Sequence, residues 1–212
     1  MTLQTERTTV RRLPKRATYD PDVVHAILDE ALLCHVGFVI DGQPVVIPTI
    51  HTRIDDMLYF HGSVASRMLR SLKEGVDTCV TVTILDGLVL ARSAFHHSMN
   101  YRSVVVMGKA REVTDREEKL RVFDALVEHV IAGRSAEARK PNEAEIRGTL
   151  VLALPIEEAS AKTRTGGPLD DEEDYSLPVW AGVLPMKLVP QEAVTDERSN
   201  AEVPDYVRDY RR

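Results

Sequence analysis

Apolar positions first recur at helical spacing. Val24, Ile27, Leu28, Ala31 and Leu32 fall on one face of a 3.6-residue period, and Asp20 before Pro21 supplies an N-cap and a first-turn proline. The pattern predicts a helix opening at Pro21, after a stretch without clean period at 1–20 that reads as an extended arm. The period then shortens to that of strands. Cys34 to Ile40 and Pro44 to Thr52 are two runs joined by Asp41-Gly42, a hairpin signal. Pro48 places the second run at a sheet edge or a bulge, because proline has no N–H to give a ladder. Met57 to His61 is a third strand, broken by Gly62-Ser63, and Ser66 to Lys73 is a short helix stopped by Gly75. Thr78 to Ala91 is a long β-rich run interrupted at Asp86-Gly87. Ser103 to Val113 is a further strand, and Thr114 to Ile131 a helix with Thr114 as N-cap and Glu117 at the capping-box position. Gly133 to Asn142 reads as a loop, and Leu150 to Lys162 as one last long strand. Past Thr163 only Pro178 to Val183 is apolar, and from Gln191 the chain reads as a polar, mobile tail.

Six or so strands on short turns, with a few helices between them, point to a mainly β fold: a closed or partly closed six-stranded barrel with flanking helices. The organisation expected is an arm at 1–20, a barrel domain at 21–186 and a tail at 187–212. No GxGxxG or GxxxxGK[ST] is present, so the dinucleotide and P-loop readings lack their central motifs.

Composition narrows the classes. The 212 residues carry a net charge of −6, which disfavours nucleic acid as a partner. No run approaches the roughly 20 apolar residues of a membrane span, and the first residues lack a secretory h-region, so a cytoplasmic, non-membrane location is expected. Cys34 and Cys79 sit in apolar stretches without CxxC spacing and read as free thiols. The run Asp170 to Asp174 reads as a solvated loop.

Three constellations could carry chemistry. In the first, Tyr59-Phe60-His61-Gly62-Ser63 leads into Ser66-Arg67: a strand, a glycine turn, and a helix start with two serines and an arginine. Free N–H groups, hydroxyls and a guanidinium at such a turn suit an anion, although an ordinary helix cap gives the same pattern. In the second, Phe95-His96-His97 and Asn100-Tyr101-Arg102-Ser103 run into the apolar strand Val104 to Gly108. Adjacent histidines on a strand point to opposite faces, and no HExxH or cysteine set accompanies them, so no metal site is expected. Convergence of His51, His61, His96 and His97 on haem stays open as a second reading. In the third, Lys162 precedes Pro178-Val179-Trp180-Ala181-Gly182, whose lone tryptophan suits a flat ring ligand or a hydrophobic plug.

Taken in order, these segments resemble the pyridoxamine 5′-phosphate oxidase-like flavin-binding split-barrel family. The resemblance runs from about Pro14 to Met186 and is nearest the branch of nitroimidazole-resistance and flavin-nucleotide-binding proteins. It implies a homodimer with FMN in the groove between subunits. By that resemblance Val46, Ile47, Pro48 and Thr49 run along the isoalloxazine, and Ser66 and Arg67, with Gly62 and Ser63, hold the phosphate. His61, Asn100, Arg102, Ser103, Lys162, Trp180 and Gly182 line the rest of the cofactor site, and His61 and Tyr101 are candidate proton donors. Met68 stands where the oxidases carry a lysine, and Val183 and Met186 where they carry arginines, which argues against a phosphorylated vitamer as substrate. The function implied is an FMN-dependent oxidoreductase passing electrons, with NAD(P)H a candidate reductant, to a small acceptor such as a nitro-aromatic or quinone. Haem, deazaflavin F420 and FAD are the alternative cofactors. A non-catalytic flavin or haem binder is the alternative function, and a structural dimer with a degenerate site the third.

Overall fold

The computed structural model describes residues 2–211. After a single turn of 3-10 helix the chain forms β1 (Ala17–Thr18), α1 (Pro21–Glu30), β2 (Leu33–Ile40), β3 (Gln43–Ile50), β4 (Thr52–Ile54) and β5 (Met57–Ser63). It continues through α2 (Arg67–Lys73), β6 (Asp77–Leu90), β7 (Ser98–Lys109), β8 (Arg111–Glu112) and α3 (Arg116–Val130). It ends with α4 (Glu143–Gly148), β9 (Thr149–Pro155), β10 (Glu158–Arg164), β11 (Gly182–Pro185) and α5 (Asp205–Arg208).

The strands form two antiparallel sheets. The larger has the order β1-β10-β7-β6-β2-β3, with β11 added to β6, and the smaller β4-β5-β9-β8. They face each other as an incompletely closed barrel, in keeping with the fold expected. Inward residues come from alternate positions of each strand. Val36, Phe38, Val80, Val82, Val104, Val106, Ala159 and Ala161 of the large sheet meet Leu58, Phe60, Leu150, Leu152 and Leu154 of the small one. Helices α1, through Val24, Ile27 and Leu28, and α2, through Met68, Leu69 and Leu72, close this core. The small sheet has a second face, where Tyr59, Val151 and Ala153 receive Val122 and Leu126 of α3.

Local chemistry accounts for much of this. Asp20 caps α1 by accepting from the Asp22 amide, with Pro21 at the first position. Asp41 and Gly42 both have positive φ (51° and 76°), as a tight I′-type hairpin turn requires. Pro44 and Pro48 are tolerated because β3 is the edge strand of its sheet. The interruption at Asp86-Gly87 is a register shift in the β6–β7 pairing.

Four expectations are corrected. The strand expected over Leu150 to Lys162 is two strands in different sheets; the chain turns at Ile156, whose amide donates to the Asp56 carbonyl at 2.8 Å. The cap of α3 is Asp115, which accepts from the Glu118 amide at 2.7 Å, and not Thr114. The arm is laid down on the barrel: Leu3 is in the main core and its carbonyl accepts from the Ala159 amide at 3.0 Å. The tail carries α5, whose Tyr206 ring sits over Gly133 and whose hydroxyl donates to Glu137 at 2.6 Å.

Candidate functional site

The turn after β5 gathers two serine hydroxyls and a guanidinium at the start of α2. Ser63 Oγ accepts from the Ala65 amide at 3.1 Å, and Ser66 Oγ caps α2 by accepting from the Leu69 amide at 3.4 Å. Both hydroxyls therefore keep their hydrogen to donate. At Gly62 a Cβ would stand 3.1 Å from the Leu69 side chain, so a larger residue would press on α2. Arg67 is exposed at the first position of α2, and among the described residues no ion pair or side-chain hydrogen bond engages its guanidinium. The next residue points inward: Met68 is buried in the core, so no basic group could stand there without burying its charge. Other predicted flavin contacts are on β3, the edge strand of the large sheet. Its Val45, Ile47 and Thr49 face inward, whereas Val46, at 66% exposure, and Pro48 face out. As the terminal strand it also has one edge of backbone groups with no strand partner, the feature a planar hydrogen-bonding ring needs.

The remaining predicted residues lie elsewhere. Asn100, Tyr101, Arg102 and Ser103 are on β7, and Lys162 on β10. The β7 strand is three strand spacings from β3, or about 14 Å at ordinary sheet geometry. Arg102 is not a free cation. It forms paired hydrogen bonds with Asp86 (3.0 and 2.8 Å) and with Glu30, at the end of α1. These hydrogen bonds to two carboxylates hold its pKa above the usual arginine range, and the carboxylates neutralise the positive group expected beside a flavin. Lys162 donates to the Arg12 carbonyl at 3.2 Å, and Ser103 to the Lys162 carbonyl at 3.3 Å. Asn100 donates to the Gly166 carbonyl at 3.1 Å and accepts from Arg164, a buried guanidinium that also donates to the Gly166 and Gly167 carbonyls. Trp180 is 67% exposed, and its ring covers Gly182, where a Cβ would stand 2.8 Å from it.

The two candidate proton donors are not brought together within the chain: Tyr101 is on the large sheet and His61 on the small one. His61 alternates with Tyr59 and so faces α3. There it lines a cavity of about 480 Å³ with Ile50, Phe123, Leu126, Val127 and Val130, and with Arg134, Arg139 and Glu145 toward the α3–α4 segment. Its Nδ1 is buried with no hydrogen-bond partner among the described residues, and burial lowers its pKa below the ordinary histidine value. The Phe123 ring stands edge-on to it, with centroids 6.4 Å apart. Sequence reasoning missed this cavity. The available signal was that the apolar stripe of α3 and the Tyr59–His61 face of β5 each needed a cover.

The four histidines do not converge. His51 Nε2 donates to the Leu28 carbonyl (2.9 Å), and the ring lies 4.9 Å from that of His129. His96 is 3.2 Å from Asp171, and His97 contacts the Ser93 carbonyl at 3.0 Å. Nor is the acidic run wholly solvated. Burial opposes charge on Asp170, but hydrogen bonds from the Arg92 and Ser93 amides and the Arg92 guanidinium overcome it and hold the pKa low.

Comparison with known proteins agrees with this architecture. A sequence profile described as pyridoxamine 5′-phosphate oxidase matches residues 20–163. The flavocytochrome Anf3 from Azotobacter vinelandii is 42% identical, with a TM-score of 0.89 over 98% of this chain and 97% of that one. The FAD and haem binding protein from Mycobacterium smegmatis is 36% identical, with a TM-score of 0.87 over 91% of this chain and 96% of that one. A protein assigned to 5-nitroimidazole antibiotic resistance in Bacteroides thetaiotaomicron shares the fold at 23% identity, with a TM-score of 0.58 over 69% of this chain and 85% of that one. No curated protein matches the chain. The barrel, the turn at Arg67 and these matches place the chain in the pyridoxamine 5′-phosphate oxidase family of split-barrel proteins.

Proposed function

We propose that the protein is a flavin-binding redox protein that works as a homodimer and carries haem as a second cofactor. The observation that carries the flavin half is the Arg67 turn: an exposed guanidinium with no acidic partner among the described residues, flanked by two serine hydroxyls free to donate. Both relatives identical over a third of their residues support it, one named a flavocytochrome and the other for FAD and haem. FAD therefore ranks before FMN. A bound flavin supplies one- or two-electron transfer. The chain's own residues bind and orient it: Arg67, Ser63 and Ser66 take phosphate oxygens, and the open edge of β3 at Val46 to Thr49 meets the ring.

The separation of the residues matched to the cofactor site supports the dimer. β3 ends the large sheet, and Tyr101 and Ser103 stand on β7, beyond β2 and β6. A second copy brings the missing half. The outward face of the large sheet, with Leu33, Val39 and Val46 exposed, is the surface to pair. Electrons pass from a reduced nicotinamide nucleotide to a small acceptor of the nitro-aromatic or quinone kind. A second reading, a flavin and haem carrier without its own substrate, is favoured by one observation: His61 and Tyr101 do not share a site within the chain.

Titration with FAD and FMN, followed by quenching of flavin fluorescence, tests the proposal. Saturable binding is expected, and Arg67→Ala should weaken it roughly ten- to a hundredfold, the worth of a charged hydrogen bond. A change within about twofold sinks the Arg67 assignment. Flavin-dependent NADPH oxidation with an added quinone separates the enzyme from the carrier.

A further inference from the structure

The cavity under α3 has features that a packing defect does not need. Its walls are apolar, from Ile50, Phe123, Leu126, Val127 and Val130. One imidazole enters it, that of His61, with Nδ1 sealed and unpaired and with no hydrogen bond to either ring nitrogen among the described residues. An unsatisfied buried polar atom is costly and calls for an explanation. Burial keeps this ring neutral near pH 7, the form that binds metals. Among the described residues no group of three or more His, Cys, Asp or Glu side chains is placed to hold a bare ion. A metal reaching His61 must therefore bring its other ligands with it.

Two guanidinium groups stand among the lining residues. Arg139 is held by Glu145, and Arg134 spends only Nη1, on Glu137 (3.2 Å) and the Tyr206 hydroxyl (3.1 Å). An apolar slot, a single neutral nitrogen and one guanidinium with donors to spare match a flat apolar macrocycle with one open metal position and a carboxylate at its edge. A fatty acyl chain would use the walls and one cation but leave the imidazole without a role. A flavin would leave it so as well, and its phosphate has the turn at Arg67. The remaining histidines described above are engaged with backbone carbonyls, a carboxylate or each other.

We propose that the haem binds in this cavity, with His61 as axial ligand of the iron and Arg134 as anchor of a propionate. The proposal rests on the reading that the protein takes haem, and adds the place and the ligand. It also separates the cofactors: flavin at the Arg67 turn, haem on the α3 side of β5.

The test is titration of the full chain with hemin, read by the Soret band and by the ligation bands of the ferric and ferrous forms, with FAD binding measured on the same samples. Wild type is expected to give a histidine-ligated spectrum. His61→Ala should lose it and bind hemin at least tenfold more weakly, and added imidazole should restore the ligation. Val127→Trp, which fills the cavity, should abolish hemin binding. Arg134→Ala should lower affinity roughly tenfold without changing the ligation bands. FAD binding should persist throughout, which shows that the fold is intact. If His61→Ala loses FAD binding and its cooperative melt, His61→Met decides: a shift of the ligation bands supports the proposal and an unchanged spectrum overturns it. Wild-type affinity and spectrum in His61→Ala, or in Val127→Trp, overturns the site while leaving a haem protein. No hemin binding by wild type overturns the haem reading itself, and FAD binding then still judges the flavin reading.

Discussion

The two faces of β5 differ in how they are filled. On one side Leu58 and Phe60 are fully buried between the sheets, against Leu152 and Leu154 of β9. On the other, Tyr59 packs with Val151, Ala153 and α3, but His61 borders a cavity of about 480 Å³. The strand alternates apolar and mixed positions with the same two-residue period on both sides. The first face is complete as the chain stands, so its residues contribute to stability alone. The second leaves an imidazole nitrogen unsatisfied and a volume unfilled, which is the signature of a site that a ligand completes.

The largest test of this contrast is a pair of substitutions. Phe60→Ala opens a void in the filled face and should lower stability by about 3–5 kcal/mol. It would be read as a lower denaturant midpoint with an unchanged slope. His61→Leu, in protein free of ligands, removes an orphaned polar atom and adds apolar volume beside a cavity. It should be neutral or stabilising, within about 1 kcal/mol. Equal losses in the two variants would mean that both faces are ordinary core.

A smaller effect is expected from acid. Burial lowers the His61 pKa in the folded chain below the ordinary value of 6.5. The unfolded chain then binds the proton first as the pH falls, so stability falls with it. The contribution is full above the unfolded pKa near 6.5 and is lost progressively toward the lowered folded pKa. Ligand-free wild type should therefore lose more stability than His61→Leu between pH 7 and pH 5. Parallel pH profiles from urea melts at each pH would count against a buried neutral imidazole.

What could be read in the sequence was local. The cap and proline of α1, the Asp41-Gly42 hairpin, the edge position implied by Pro48 and the shift at Asp86-Gly87 each depend on a few neighbouring residues. What could not be read depends on partners far along the chain. Only Pro155 and Glu157-Glu158 separate the two apolar runs around Ile156, too little to signal locally that the chain changes sheets there. Arg102 meets a carboxylate from Glu30, 72 residues away, so a residue matched to a cofactor site is held by acids. Asp170 differs from its acidic neighbours because Arg92 is folded against it. The His61 cavity exists only because α3, more than 50 positions later, lies across β5. The turn at Arg67 was legible because serine, glycine and arginine act there through adjacent backbone groups.

The smallest effect expected tests the faces of the large sheet in the same way. Cys34 is inward and buried, and burial pushes its thiol up to about 12. At pH 8 that leaves a thiolate fraction of about one in ten thousand, and the thiolate is the reactive form. Cys79 is partly exposed on the outward face, opposite Gly37 in β2. In the native protein a maleimide should label Cys79 and spare Cys34, and both should react in denaturant. If the outward face pairs two copies, as proposed, Cys79 labelling should slow as protein concentration rises through the dissociation constant of the dimer, while Cys34 stays unreactive. Labelling of Cys79 that is fast at every concentration would mean the outward face stays open, and would move the missing half of the flavin site back onto a single chain.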